Sequence, residues 1–201
     1  MGLSKQEQDD LYYFDICESV AKNSKCLSRH IGAVLTRDNI VVSTGYNGPP
    51  RGVPHCDKRD LYDNEYRDWL IEKAKNNPKF DPTRAQKECP RKVMGFKSGE
   101  GLSLCPAVHS EKNCIVSAAR NGASTKGTAL YLNAPVPCSQ CLVALINAGV
   151  EEVVCTGMDY YDSLSQFLVL YSGIKIRTFC HISNNTYKES NGLRLVVKNK
   201  K

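Results

Sequence analysis

Apolar positions near the start of the chain recur with a helical period, and soon afterwards with the spacing typical of strands. Residues 5–22 carry apolar side chains at roughly helical spacing, which predicts an amphipathic helix: Leu11, Phe14, Ile16, Cys17, Val20 and Ala21. The β-branched runs IGAVLT (31–36) and NIVVSTGY (39–46), joined by Arg-Asp, predict a β-hairpin. The glycines and prolines of NGPPRGVP (47–54) then predict a loop.

The second half of the chain alternates between helical and strand patterns. Segments 109–122, 138–149 and 163–173 predict helices, and segments 128–133, 151–157 and 174–179 predict strands. This alternation implies right-handed crossovers and a parallel run of strands, so we expect an α/β fold. The chain ends in a polar tail from about residue 182, where LRLVV (193–197) predicts one more strand.

The region between the hairpin and these alternating elements reads as an insertion, at about residues 53–104. Its segment LYDNEYRDWLIEKAKNN (61–77) places Tyr62, Tyr66, Trp69 and Leu70 on one helical face. The sequence that follows is polar and contains prolines. We therefore expect an insertion that packs on a single domain spanning residues 1–201, with too few apolar residues for a core of its own.

Composition narrows the class of protein without identifying it. With 201 residues, 41% apolar and 24% charged, the chain suits one sizeable globular domain. The start MGLSKQEQDDLYYFD lacks a basic segment followed by an apolar one, and no apolar run reaches membrane-span length, so we expect a cytoplasmic protein with no membrane partner. The net charge of +6 suits an anionic ligand such as a nucleotide, and equally an ordinary basic surface.

Cysteine is abundant, with 10 residues. Without a secretion signal, reduced cysteines that bind metal or fill the core are favoured over a disulfide scaffold. The segment CPAVHSEKNC (105–114) places His109 and Glu111 at the start of a predicted helix. The segment PCSQC (137–141) places Cys138 and Cys141 on one face of the first turn of another.

Together these segments predict a catalytic zinc site. His109, Cys138 and Cys141 would supply three ligands and leave one tetrahedral position open, whereas structural zinc sites are usually closed by four. Glu111 would be the catalytic proton carrier. Alone, His-x-Glu is most often a solvated helix start, and Pro-Cys-x-x-Cys could be a structural zinc knuckle or a redox pair. In this order, however, they form the signature of zinc nucleobase deaminases.

Beyond the zinc motif, residues 10–180 resemble the cytidine deaminase superfamily, and more narrowly the deoxycytidylate (dCMP) deaminases. Three stretches carry the resemblance: IGAVLT…TGYNGPPRG, CPRKVMGFKSGEGLSLCPAVHSEKNCI and VVCTGMDYYDS. It implies a three-layer α/β/α fold with a mixed five-stranded central sheet flanked by helices. It also implies zinc-dependent hydrolysis of dCMP to dUMP and ammonia.

The resemblance further implies roles for individual residues. Asn47 would contact the sugar or phosphate, Ser110 would bind the pyrimidine through its backbone N–H, and Arg120 would lie near the active-site mouth or a subunit interface. Tyr161 is also assigned to the substrate site. Ser110 is a departure, because the family usually has alanine there.

Regulated members of the family are usually hexamers, activated by dCTP with Mg²⁺ and inhibited by dTTP. The resemblance implies an effector site in the loop after the hairpin, at Gly45, Asn47, Gly48, Arg51 and Gly52.

A second, structural zinc is also implied, because some relatives bind one around the insertion. The residues concerned are His55, Cys56, Cys89 and Cys105, which would otherwise be buried reduced side chains.

Rival functions differ in what they require of the sequence. A deaminase that also accepts dCTP or other cytosine nucleotides would need the same zinc site. A polynucleotide cytosine deaminase would need a basic groove with stacking aromatics, and the aromatic residues here fall mostly on helix and strand patterns, so we expect no stable nucleic-acid partner. A non-catalytic zinc-stabilised scaffold would lack Glu111, which is present.

Overall fold

The computed structural model describes residues 3–97, 99–182 and 186–188. Helix α1 spans Lys5–Ala21, close to the predicted range, and begins at a capping box. Ser4 Oγ accepts a hydrogen bond from the Glu7 N–H at 3.3 Å, while the Glu7 carboxylate accepts one from the Ser4 N–H at 2.6 Å. The strand predicted at 193–197 lies outside the described residues.

The central sheet has five strands: β1 (Gly32–Arg37), β2 (Ile40–Tyr46), β3 (Thr128–Leu132), β4 (Val150–Cys155) and β5 (Lys175–Thr178). Their order is β2-β1-β3-β4-β5. Strand β1 is antiparallel to both β2 and β3, whereas β3, β4 and β5 run parallel, so the predicted mixed sheet is confirmed. A separate two-stranded ribbon follows, formed by β6 (Cys180–Ile182) and β7 (Thr186–Lys188).

The hairpin turn lies one residue later than predicted. Asp38 and Asn39 both take positive φ values, 53° and 59°, as a two-residue turn between twisted strands requires. Asp and Asn tolerate this conformation better than other non-glycine residues, and Arg37 therefore stays in β1.

Helices cover both faces of the sheet and give the three layers. On one face lie α5 (Ser110–Arg120), α6 (Ser139–Asn147) and α7 (Ser163–Ser172). Their apolar side chains form one core with alternate strand residues, among them Leu130 and Val153. On the other face, Phe14 of α1 packs with Tyr131 and Val154. Among the described residues, no helix combines the length and apolar character that a bilayer span requires.

The insertion is built from short helices: α2 (Arg59–Tyr62), α3 (Asn64–Asn76) and α4 (Pro90–Val93). The predicted continuous helix through Tyr62 is wrong, because Asp63 interrupts it and caps α3 by accepting a hydrogen bond from the Tyr66 N–H at 3.0 Å. Tyr62 is consequently 69% exposed.

The insertion also holds an apolar cluster of its own, contrary to the sequence expectation. Tyr66, Leu70, Ala85 and Val93 are buried together, and Trp69, Phe80 and Met94 pack around them. The Trp69 ring stacks near Tyr66, with ring centroids 6.5 Å apart. Apolar residues that are scattered in sequence meet here because the short helices fold back on one another.

Candidate metal centre and catalytic pocket

The three predicted metal ligands meet where two neighbouring helices begin. His109 is the N-cap of α5 and Cys138 is the N-cap of α6, and neither side chain makes a capping hydrogen bond. N-caps are usually Ser, Thr, Asp or Asn, whose side chains bind the first backbone N–H groups. Here both side chains remain available to a ligand, and Cys141 joins them from the first turn of α6.

The distances fit a tetrahedral zinc ion. His109 Nδ1 lies 3.5 Å from Cys138 Sγ and 3.3 Å from Cys141 Sγ. Zinc bonds of ordinary length, about 2.1 Å to nitrogen and about 2.3 Å to sulfur, place tetrahedral N and S ligands about 3.6 Å apart. In the described part of the chain, this is the one group of three such side chains whose ligand atoms all lie within 4.8 Å of one another.

The two sulfurs differ in acidity. The pKa of the Cys138 thiol is lowered to about 4, chiefly because Cys141 donates a hydrogen bond to it, with His109 adding to the effect and burial opposing it. The pKa of Cys141 is raised, first by its hydrogen bond to Cys138 and then by burial. One thiolate is thus favoured in the absence of metal, and a cation that binds both sulfurs would displace the second proton.

Glu111 lies beside the ligand group without belonging to it. Its side chain is 5% exposed, and its charge acts on both His109 and Cys141. The Ser110 hydroxyl donates a hydrogen bond to Glu111 Oε2 at 2.9 Å. A buried carboxylate next to an open metal position is the arrangement that proton transfer to and from bound water requires.

Strand β2 and the loop after it hold α5 in place. Gly45 lies inside β2 and not in the loop, and a Cβ there would be 2.4 Å from the Ser110 carbonyl oxygen and 2.5 Å from the Cys114 nitrogen. A glycine is required at this close approach between strand and helix. Gly48 then pairs with Val108 as an isolated bridge directly before His109.

Asn47 organises the chain around this bridge. It is buried, its Oδ1 accepts from the Ile31 N–H at 2.9 Å, and its Nδ2 donates to the Arg29 carbonyl at 2.9 Å. Its own carbonyl accepts from Ser24 Oγ at 2.7 Å. The structure thus gives Asn47 a bracing role, and its contact with a nucleotide remains a prediction.

Two other predicted effector residues lie just beyond Asn47. Arg51 and Gly52 are exposed in the turn after the prolines, and Gly52 has a φ of 81°. Their predicted binding of a triphosphate also remains a prediction.

Arg120 lies at the far end of α5 from the metal ligands. It is the last residue of α5, whereas Ser110 is the first, and ten residues of α-helix separate their positions by about 15 Å along the axis. Arg120 is exposed there, and its role near the active-site mouth or at a subunit interface remains a prediction.

Tyr161 lies in the loop between β4 and α7. A Cβ on Gly99 of the insertion would be 2.7 Å from the Tyr161 hydroxyl, so the end of the insertion touches this loop. The next residue, Asp162, accepts a hydrogen bond from Ser139 Oγ at 3.1 Å, which ties the loop to the start of α6. Tyr161 is therefore near the ligand-bearing turn, and its substrate contact stays a prediction.

A second cysteine-rich region joins the hairpin to the insertion. The pKa of Cys56 is raised to about 11 by burial first, and then by Cys89, Cys105 and Cys26. Cys26 was not predicted to belong to this region, although a β-hairpin brings the residues before its first strand close to those after its second. His55 Nδ1 is buried without a hydrogen-bond partner. The predicted ligands His55, Cys56, Cys89 and Cys105 do not form a compact group like that at His109.

Comparison with known proteins identifies the pattern. Residues 7–157 match the family model of the cytidine and deoxycytidylate deaminase zinc-binding region. The deoxycytidylate deaminase of Schizosaccharomyces pombe is 28% identical over 178 residues, which are 89% of this chain and 46% of the yeast protein. The deoxycytidylate deaminase of enterobacteria phage T2 is 32% identical over 145 residues, which cover 67% of this chain and 72% of the phage protein. The chain thus spans about half the length of the yeast relative.

Solved structures agree on the fold. The dCMP deaminase of cyanophage S-TIM5 in its apo form superposes with a TM-score of 0.56 at 16% identity, over 88% of this chain and 99% of the phage chain. The same phage enzyme in complex with dCMP and dUMP gives a TM-score of 0.56 at 17% identity. At these identities the match concerns the three-layer architecture.

Proposed function

The chain belongs to the cytidine and deoxycytidylate deaminase zinc-binding family, and on that premise we propose that it hydrolyses dCMP to dUMP and ammonia. The observation that carries the proposal is the convergence of His109, Cys138 and Cys141 beside the buried Glu111 carboxylate. Similarity to several deoxycytidylate deaminases along most of this chain supports the choice of nucleotide.

His109, Cys138 and Cys141 would hold the zinc ion, which when bound lowers the pKa of a water molecule and supplies the nucleophile. Glu111 takes a proton from the attacking water and delivers it to the cytosine ring, and a second proton goes to the leaving amine. The C4–O bond forms, the C4–N bond breaks, and the products are dUMP and ammonia. The Ser110 N–H, in the first turn of α5 where backbone donors have no helical acceptor, is available to the pyrimidine carbonyl.

We also propose that nucleoside triphosphates regulate the protein. The loop that carries Gly48, Arg51 and Gly52 would bind dCTP with Mg²⁺ as activator and dTTP as inhibitor. The bridge from Gly48 to Val108 supports this, because it connects the loop directly to His109. We further propose a homo-oligomer, as a hexamer, acting in the cytoplasm.

A second metal would have a structural role, with Cys26 in place of His55 as the fourth ligand. Cys26, Cys89 and Cys105 all lie close enough to Cys56 to contribute to its raised pKa, although the four sulfurs are less compact than the group at His109. The Tyr66 hydroxyl is buried without a hydrogen-bond partner. Its pKa is raised by burial first, and Cys89 and Cys56 are among the nearby groups that add to this effect. Binding would draw the sulfurs together and fix the insertion to the hairpin, as four-coordinate structural zinc does.

One assay tests the function. The purified zinc-loaded protein and its Glu111→Gln variant are incubated with dCMP, dCTP, CMP and single-stranded DNA, and ammonia and uracil products are measured. We expect turnover of dCMP by the parent protein and a loss of at least about 10³-fold in the variant. Turnover of DNA with none of dCMP would assign a polynucleotide deaminase, and turnover of none would reject the proposal.

A further inference from the structure

The hydroxyl of Ser110 has one hydrogen to donate, and it donates it to the candidate catalytic carboxylate. Ser110 is fully buried at the first position of α5. Its Oγ lies 2.9 Å from Glu111 Oε2. A buried hydroxyl is costly without an acceptor, so this contact is the expected resting state of both side chains.

Packing against β2 holds the backbone of Ser110 in place. Its carbonyl lies directly beneath Gly45, close enough that an added Cβ would be 2.4 Å away. On the other side of the pair, the last torsion of a glutamate side chain is broad and two-fold, so packing alone does not fix the plane of the carboxylate. A donor on one oxygen supplies that missing constraint.

We infer that Ser110 is a positioning residue for Glu111. Its hydroxyl holds Oε2, fixes the plane of the carboxylate, and so leaves Oε1 turned toward the reacting atoms. The inference rests on the proposed deamination, since Glu111 there carries the protons. Removing the hydroxyl should therefore slow the chemical step and leave nucleotide affinity unchanged, because the hydroxyl donates its hydrogen bond to Glu111 and not to the substrate.

The first experiment separates these two effects in the zinc-loaded protein. Ser110→Ala should lower kcat for dCMP by about tenfold, the worth of one hydrogen bond to a charged group, and leave KM within about twofold. Ser117→Ala, two turns later on the same helix and partly exposed, is the matched control and should change neither constant. Unchanged kcat in Ser110→Ala overturns the inference. A raised KM at constant kcat overturns it too, because the Ser110 hydroxyl would then contact the substrate.

The second experiment needs no activity. Urea unfolding of the zinc-loaded protein is measured for the parent, Ser110→Ala, Glu111→Ala and the double variant. Each single substitution already breaks the hydrogen bond between the two side chains. If that bond couples them, the unfolding equilibrium constant of the double variant should be about tenfold smaller than the two single changes multiplied together predict. Additive effects would overturn the inference. If the parent protein deaminates no cytosine nucleotide, the proposed function fails while this cycle still decides the Ser110–Glu111 coupling.

Discussion

Gly48 and Val108 exchange two backbone hydrogen bonds, with N–O distances of 3.1 Å from Gly48 to Val108 and 2.8 Å in return. Val108 directly precedes His109, so this bridge fixes the backbone that delivers the first metal ligand. The loop after the hairpin is thus part of the frame of the metal centre.

Replacing Gly48 by proline should weaken the backbone bridge that positions His109. Proline removes the N–H that donates to Val108, and we expect zinc affinity to fall about tenfold, as for losses of outer contacts that orient a metal ligand. Gly48→Ala is the control, because a Cβ there meets nothing within 4 Å. Competition titrations with a zinc chelator measure both variants, and equal affinities would show that the bridge does not orient His109.

Metal binding and proton transfer should separate cleanly by mutation. Cys141→Ala should lose both stoichiometric zinc and activity, and should unfold more easily, because the ion ties the starts of α5 and α6 together. Glu111→Gln should keep its zinc and lose only turnover. Elemental analysis and deamination rates of the same preparations test this. Full turnover by a metal-free preparation would refute the zinc mechanism.

The protein should discriminate between nucleotide and nucleoside. Deoxycytidine lacks the 5′-phosphate of the proposed substrate, and a site that binds this group loses charge-assisted hydrogen bonds without it, so we expect its kcat/KM to be at least about 100-fold below that of dCMP. Both substrates are compared under one set of conditions, with CMP as the control for the sugar. Equal values would assign the chain to the nucleoside deaminases.

Local spacing explains what the sequence could predict. His109, Cys138 and Cys141 stand at the starts of two helices, and the helix signals around them are short-range. The hairpin and the alternation of strands and helices likewise predict the antiparallel pair β1–β2 and the parallel run of β3, β4 and β5. The five-stranded mixed sheet as a whole was expected from the family resemblance. The expected role of Arg120 rests on the resemblance alone, because neither its helical spacing nor its exposure at the end of α5 indicates a ligand.

Local sequence patterns do not predict contacts between residues that are far apart in the chain. Cys26 approaches Cys56 only once the hairpin has formed, and the cluster around Tyr66 requires several short helices to fold back. The ion pair between Asp10 and Arg177 joins residues 167 positions apart, and no local pattern indicates it.

That ion pair should contribute substantially to stability. Asp10 on α1 is 2% exposed, accepts from Arg177 through both carboxylate oxygens, and accepts from the Tyr131 hydroxyl at 2.9 Å. Asp10→Ala leaves the Tyr131 phenol without its partner and the guanidinium with only Glu152, at 3.5 Å, so we expect a loss of about 3 kcal/mol in the free energy of unfolding.

The control for this loss is an exposed pair on the insertion. Arg84 and Glu88 are 42% and 40% exposed, and Glu88→Ala should cost less than about 1 kcal/mol. Urea unfolding measures the loss of stability in both variants. Equal losses in the free energy of unfolding would show that the buried pair stabilises the protein no more than the exposed pair.

Regulation gives the last prediction. The loop that would bind a triphosphate carries exposed Arg51 and the positive-φ residue Gly52, and it is joined to the metal centre through Gly48 and Val108. An effector that binds two conformations of this loop with different affinities would couple the two sites if the Gly48–Val108 bridge transmits the difference to His109. We therefore expect sigmoidal dCMP kinetics that become hyperbolic with dCTP and Mg²⁺, inhibition by dTTP, and loss of both responses in Arg51→Ala.

Initial rates over a range of dCMP concentrations, with the oligomer size measured in parallel, test this expectation. Hyperbolic kinetics that neither triphosphate changes, in protein shown to be oligomeric, would mean that the loop only shapes the substrate pocket.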